Sequence, residues 1–159
     1  MYVGTKDGFI FSLDSTTGKI IWQNETGHFP IHFIVNGNAL IIIYEEQYVS
    51  VLDPTTGFQK WRLDLGIGKS WSVLGEDVLE INNNTIFIAG NNNQKIYAID
   101  INTGNQLWSW THFLPTRSKY EIGLLDKDVL YVDQMPRWNF WIPDYLVGSG
   151  WYFALKAEP

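Results

Sequence analysis

The side chains that could do chemistry are few and scattered. His28, His32 and His112 are the only imidazoles. His28 and His32 stand four residues apart, a spacing that would place both on one face of a helix. Pro30 lies between them, however, and the segment reads as loop followed by strand. A zinc site needs three or four convergent ligands, and no further ones are near in sequence. Asp126 and Asp128, with Asp133 beyond, give the alternating carboxylates of a calcium loop. They fall where two strand-like runs must be joined, and the glycine and further ligands of such a loop are missing, so a turn is the simpler reading. There is no Ser/His/Asp set, no glycine-rich phosphate loop and no carboxylate pair in a recognisable catalytic context. With no cysteine, disulfides and thiolate metal sites are excluded and the redox compartment stays open. The sequence therefore assigns no catalytic, cofactor-binding or metal-ligating residue.

One stretch has the composition of a contact surface. Gln134 to Gly150 reads as a seventeen-residue insertion between two strands. It carries Arg137, Trp138, Phe140, Trp141 and Tyr145. Arginine and large aromatics are the residue types that dominate protein interfaces. Few polar groups converge there, which favours protein contact over a small-molecule pocket.

The elements that must carry these residues are set by a repeat. Asp14-Ser15-Thr16-Thr17-Gly18-Lys19-Ile20-Ile21-Trp22 returns at Asp53 to Trp61 and again at Asp100 to Trp108. Each copy reads Asp-x-x-Thr-Gly-x-x-x-Trp, and a strand-like run precedes each Asp. An Asp carboxylate can accept from backbone N–H groups two or three residues on and so nucleate a turn. Gly18, Gly57 and Gly104 end these turns where a positive φ closes the hairpin. Trp22, Trp61 and Trp108 follow in the next strand as large apolar wedges, each with one N–H that needs an acceptor. Self-similarity at a period of this order marks a solenoid or a propeller.

At these residues the chain resembles the quinoprotein alcohol dehydrogenase-like β-propellers, the PQQ-like repeat proteins. Their signature places Ala before the Asp motif; Ala98 matches it, while Ser12 and Val51 stand there in the other copies. The resemblance implies that the motif joins the last two strands of a four-stranded blade and that Trp packs between neighbouring blades. It leaves activity open, because the family includes enzymes, adaptors and sensors. In its dehydrogenases a quinone with calcium sits on the ring axis, often beside a disulfide of adjacent cysteines. No residue here can be carried over as a ligand to either group.

The fold expected is all-β, a partial β-propeller of four-stranded antiparallel blades. Its units span about 1–26, 27–66, 67–113 and 114–159, two full and two incomplete. Strands are expected at 1–4, 9–13 and 19–24; at 31–35, 39–44, 48–52 and 58–64; near 76–81, then 85–89, 95–99 and 105–111; and at 120–124, 129–133 and 151–155. In the last unit Lys156 replaces the motif Asp, and no Trp follows. Propellers run from about four to eight blades, so such a segment leaves sheet faces and edges uncovered. Completion by another copy, by a different partner or by further chain is expected, which makes the leading functional reading a non-catalytic scaffold or protein-interaction module. A fragment of a quinone-dependent dehydrogenase and a cell-surface carbohydrate binder are the alternatives.

Composition bounds the rest. Hydrophobic residues make up 45%, aromatics 16% and charged residues only 18%, which suits large buried sheet faces and argues against disorder. The net charge is −6, and the three Arg and eight Lys form no basic stripe, so nucleic-acid binding is not expected. No apolar run is long enough to span a membrane as a helix. Two glycosylation sequons, at Asn24 and Asn83, hint at an extracellular or periplasmic setting but set no compartment.

Overall fold

The computed structural model describes residues 1–44, 48–65, 79–82, 84–90, 95–111, 118–126, 129–136 and 151–156. Among these, all regular structure is β, in fourteen strands. They form four antiparallel sheets, each a meander in chain order. The first holds β1 (Tyr2–Gly4), β2 (Phe9–Leu13) and β3 (Ile20–Glu25). The second holds β4 (Pro30–Asn36), β5 (Ala39–Tyr44), β6 (Tyr48–Leu52) and β7 (Gln59–Asp64). The third holds β8 (Leu79–Asn82), β9 (Thr85–Gly90), β10 (Lys95–Asp100) and β11 (Gln106–Trp110). The fourth holds β12 (Ser118–Asp126), β13 (Val129–Pro136) and β14 (Trp151–Lys156).

These strands lie where the sequence places them, with shifts at the ends. The largest concerns β13, which runs to Pro136 rather than stopping at 133. Gln134 finds partners on both sides, Tyr120 in β12 and Trp151 in β14, and Met135 and Pro136 continue the pairing with β12 alone. The first three residues of the expected insertion are thus strand. Arg137, Trp138, Phe140, Trp141 and Tyr145 lie outside the described residues, as do His112 and Asp128.

The chain divides into two compact units. One comprises Met1–Val73 with Ile101–Gly104, the other Leu74–Asp100 with Asn105–Pro159. In the first unit the core joins two sheets. Ile10 and Trp22 from the first pack against Leu40, Ile42, Tyr44 and Leu52 from the second, with Tyr2, Phe33 and Tyr48 at the margin. The sheets approach so closely that a Cβ on Gly4 would run into Pro30 and Phe33. The central strand β5 is buried along its whole length, which explains its unbroken apolar run, Ala39-Leu40-Ile41-Ile42-Ile43-Tyr44. In the second unit β9 and β10 supply the buried residues, Ile86 to Ala89 and Ile96 to Ile99, and Leu130 and Val132 of β13 are buried as well.

Candidate functional site

Each Asp motif forms the same turn. The Asp14 carboxylate accepts from the Thr16 and Thr17 N–H groups at 3.0 and 2.7 Å and from the Thr17 hydroxyl at 2.9 Å. The Asp53 carboxylate accepts from the Thr55 and Thr56 N–H groups, both at 2.9 Å, and from both hydroxyls. These donors stabilise the ionised form. The Thr55 hydroxyl and the Thr56 N–H lead in bringing the Asp53 carboxyl down to about 2 from an ordinary 3.8. The Asp14 carboxyl is lowered too, chiefly by the Thr17 N–H and then the Thr17 hydroxyl. At the third copy the Asn84 amide donates to Asp100 at 2.6 Å.

Beyond the turn, the glycines take φ values of 70°, 74° and 73° at Gly18, Gly57 and Gly104. Each hairpin then shifts register by one residue, so that Leu13 pairs with Ile20, Leu52 with Gln59 and Ile99 with Gln106. Three hairpins with one shared irregularity make the repeat a repeat of backbone as well as of residues. The shift also sets Trp22 opposite Ser12, Trp61 opposite Val51 and Trp108 opposite Ala98. These three partners are all buried. The signature alanine is therefore a demand for small size beside an indole, which Ser12 and Val51 also meet.

The tryptophans dock on the next turn. Trp22 Nε1 donates to the Pro54 carbonyl at 3.0 Å, and the Tyr2 hydroxyl donates to that same oxygen at 3.0 Å. The Asn24 amide donates to the Gly57 carbonyl at 2.9 Å. Trp61 Nε1 repeats the contact one copy later, on the Ile101 carbonyl at 2.7 Å. In both cases the acceptor is the residue just after the motif Asp, and the indole lies flat against the motif glycine. A Cβ on Gly57 would stand 2.6 Å from Trp22 Cε3, and one on Gly104 would stand 2.6 Å from Trp61 Cδ2. Two contacts break the pattern. Nothing lies within 4 Å of a Cβ on Gly18. Trp108, tilted against Phe87 at 5.8 Å, has a buried Nε1 with no acceptor among the described residues.

Sequence reasoning names the motif residues but misses their helpers. Tyr2 and Asn24 lie outside the nine-residue motif, and only the close fit of the first two sheets reveals them. The Asn24 contact also bears on the sequon: a glycan on that nitrogen would replace one of its two hydrogens and leave one to donate to Gly57. A second missed cluster surrounds Tyr48. The Arg62 guanidinium lies 4.0 Å above its ring, and His28 packs on it with centroids 4.7 Å apart. Beneath them the buried Tyr44 hydroxyl bonds Ser50 Oγ at 2.8 Å, and burial pushes its pKa above the ordinary phenol value. His28 thus serves as an aromatic neighbour of Tyr48 and Tyr44. Among the described residues no group of three His, Cys, Asp or Glu is placed to hold a metal ion. The Asp14 and Asp53 carboxylates are both committed to their own turns.

Comparison with known proteins agrees with this architecture. The family model described as outer membrane protein assembly factor BamB, a PQQ-like repeat model, matches residues 1–131. The chain belongs to the PQQ-like repeat family, and its fold is a partial β-propeller of four-stranded antiparallel blades. A probable serine/threonine-protein kinase, ireA, of Dictyostelium discoideum is 31% identical over 74 residues, 42% of this chain and 7% of the kinase. The crystal structure of BamB from Moraxella catarrhalis superposes with a TM-score of 0.69 at 20% identity, covering 85% of this chain and 45% of that one. Quinohemoprotein alcohol dehydrogenase from Comamonas testosteroni gives 0.61 at 16% identity, covering 98% of this chain and 33% of that one. At these identities the two structures share the fold, and the chain spans less than half of each.

Proposed function

We propose that this chain is a non-catalytic propeller segment that serves as a scaffold or protein-interaction module. The observation that carries the reading is the structural use of the motif's polar groups. The Asp14 and Asp53 carboxylates hold their own turns, and the Trp22 and Trp61 N–H groups lock one sheet to the next turn. What remains is surface, with large apolar side chains exposed on it, Ile20 at 57%, Ile21 at 60% and Phe58 at 73%. Solvent-exposed apolar side chains in number favour association. A family model described as an assembly factor supports the same reading. No resident cofactor belongs to it. Light scattering and cross-linking of the folded chain test it: a higher-order species or a discrete cross-linked partner is expected. A well-folded, strictly monomeric chain that cross-links to nothing would remove it. In a parallel titration, pyrroloquinoline quinone with calcium should leave its absorbance unchanged, and a saturable spectral shift would favour an oxidoreductase instead.

A further inference from the structure

Arg62 is a cation that the fold holds in place at the surface. Register sets it opposite Ser50, and Asp64 opposite Tyr48, so these four side chains share one face of the second sheet. Tyr44 joins them through its bond to Ser50 Oγ at 2.8 Å. The guanidinium carbon stands 4.0 Å from the centre of the Tyr48 ring and 6.0 Å from that of Tyr44. A cation at such a distance is attracted by the negative face of the ring. His28, from the loop before β4, packs on both rings, with centroids 4.7 and 6.2 Å away. Tyr48 is half-buried at the margin of the core, so the support is fixed, while Arg62 itself is exposed. Among the described residues no carboxylate pairs with Arg62, Asp64 on the same face included. In a chain with 17 acidic residues against 11 basic ones, an exposed arginine without a carboxylate departs from the surrounding charge balance.

We infer that Arg62, seated on Tyr48, is a recognition point for a carboxylate presented by a protein partner, an Asp or Glu side chain on an acidic segment. The inference deepens the interaction reading above and rests on it. A guanidinium offers its donors in a planar fork that matches the two oxygens of a carboxylate. Stacking on Tyr48 sets the plane of that fork before the partner arrives, which lowers the ordering cost of binding. Arginine and tyrosine are also among the residue types that carry most of the energy of protein interfaces. Charge selects the occupant. Two copies of a chain with a net charge of −6 repel each other, which favours a different protein over a second copy.

The test uses the whole chain, labelled with ¹⁵N, and reads the Arg62 Nε–Hε signal with the backbone amides of β6 and β7. The probe is acetyl-tetraglutamate amide, and acetyl-tetraglutamine amide is its neutral match. Tetraglutamate should move these signals saturably. The neutral peptide should bind about fivefold more weakly or not at all, the upper range for one exposed charge pair. Salt at about 0.5 M should weaken the tetraglutamate shifts by screening. Arg62→Lys keeps the charge and gives up the fork, so binding should weaken; Arg62→Gln should lose it. Because Arg62 is exposed, both variants leave the core intact. Tyr48→Phe keeps the supporting ring and should keep the affinity, whereas Tyr48→Leu should weaken it although the charge remains. Absent shifts, equal binding of the neutral peptide, or amide shifts that persist in Arg62→Gln would overturn the inference. Inorganic phosphate that moves Arg62 as strongly as tetraglutamate would overturn the choice of a protein carboxylate. An Arg62 signal that moves with protein concentration alone would place a second copy there and overturn the choice of a different protein. If tetraglutamate fails while the chain still cross-links to a partner, the Arg62 site is wrong and the interaction reading stands.

Discussion

Alanine at the three motif glycines separates backbone strain from indole docking. All three residues hold nearly the same positive φ, between 70° and 74°. A left-handed backbone costs an L-residue about 1–2 kcal/mol, and that cost is common to Gly18→Ala, Gly57→Ala and Gly104→Ala. The surroundings differ. The new methyl meets nothing within 4 Å at Gly18, but it stands 2.6 and 2.7 Å from Trp22 Cε3 and Cδ2 at Gly57, and 2.6 Å from Trp61 Cδ2 at Gly104. Contacts that short force the ring or the turn to move, and overpacking of this kind costs about 1–3 kcal/mol. Gly57→Ala and Gly104→Ala should therefore lose about 2–5 kcal/mol in all, against about 1–2 kcal/mol for Gly18→Ala. For a chain of this size the excess alone lowers the melting temperature by about 2–12 °C. Urea unfolding read by circular dichroism, with tryptophan emission recorded in parallel, measures both the loss and the displacement of the indole. Equal losses at all three positions would show that Trp22 and Trp61 are not seated on the glycines, and the interlocking described here would fail with them.

Other outcomes follow from single contacts. Trp61→Phe keeps most of the ring but leaves the Ile101 carbonyl without its 2.7 Å donor, at a cost of about 1–2 kcal/mol in urea unfolding. Trp22→Phe should cost less, because the Tyr2 hydroxyl still reaches the Pro54 carbonyl; the double variant with Tyr2→Phe should lose more than the sum of the two, and strict additivity would deny the shared acceptor. Asp53 titrates near 2 in the folded chain against an ordinary 3.8, so its contribution is present above about pH 4 and is lost as pH falls through the folded value. A carboxyl-carbon NMR titration should show this low value, and Thr55→Val should raise it, since the Thr55 hydroxyl is its largest cause. Tyr44→Phe removes the partner of the fully buried Ser50 and should cost about 1–3 kcal/mol by the same unfolding measurement, whereas an unchanged midpoint would mean that Ser50 turns to another acceptor.

How much of this was legible in the sequence depends on whether the information is local. The turn is local: Asp at one position, Thr two or three later and Gly after that fix its hydrogen bonds within five residues, so the motif alone predicts the hairpin and the strands flanking it. The wedge role of Trp22 and Trp61 was legible because the spacing never changes, and a repeat that preserves spacing preserves register. What a tryptophan touches is not local. The acceptor of Trp22 lies thirty-two positions away, and the residue there is Pro54, whose carbonyl any amino acid would provide. Backbone acceptors leave no mark in the sequence. The same holds for Tyr2 and Asn24, whose partners are also main-chain oxygens. The cluster of His28, Tyr48 and Arg62 is hidden for another reason: its members come from a loop and two strands, and their stacking depends on how the first two sheets meet. His28 and His32 invited a metal reading through their spacing alone, but a spacing of four has a fixed geometry only when both residues share one regular element. The strand begins at Pro30, so His32 lies on it while His28 lies in the loop before it. The difference between Gly18 and its two counterparts is the clearest case. The three turns are alike in sequence and in backbone, and only coordinates distinguish a glycine that holds an indole from one that stands open.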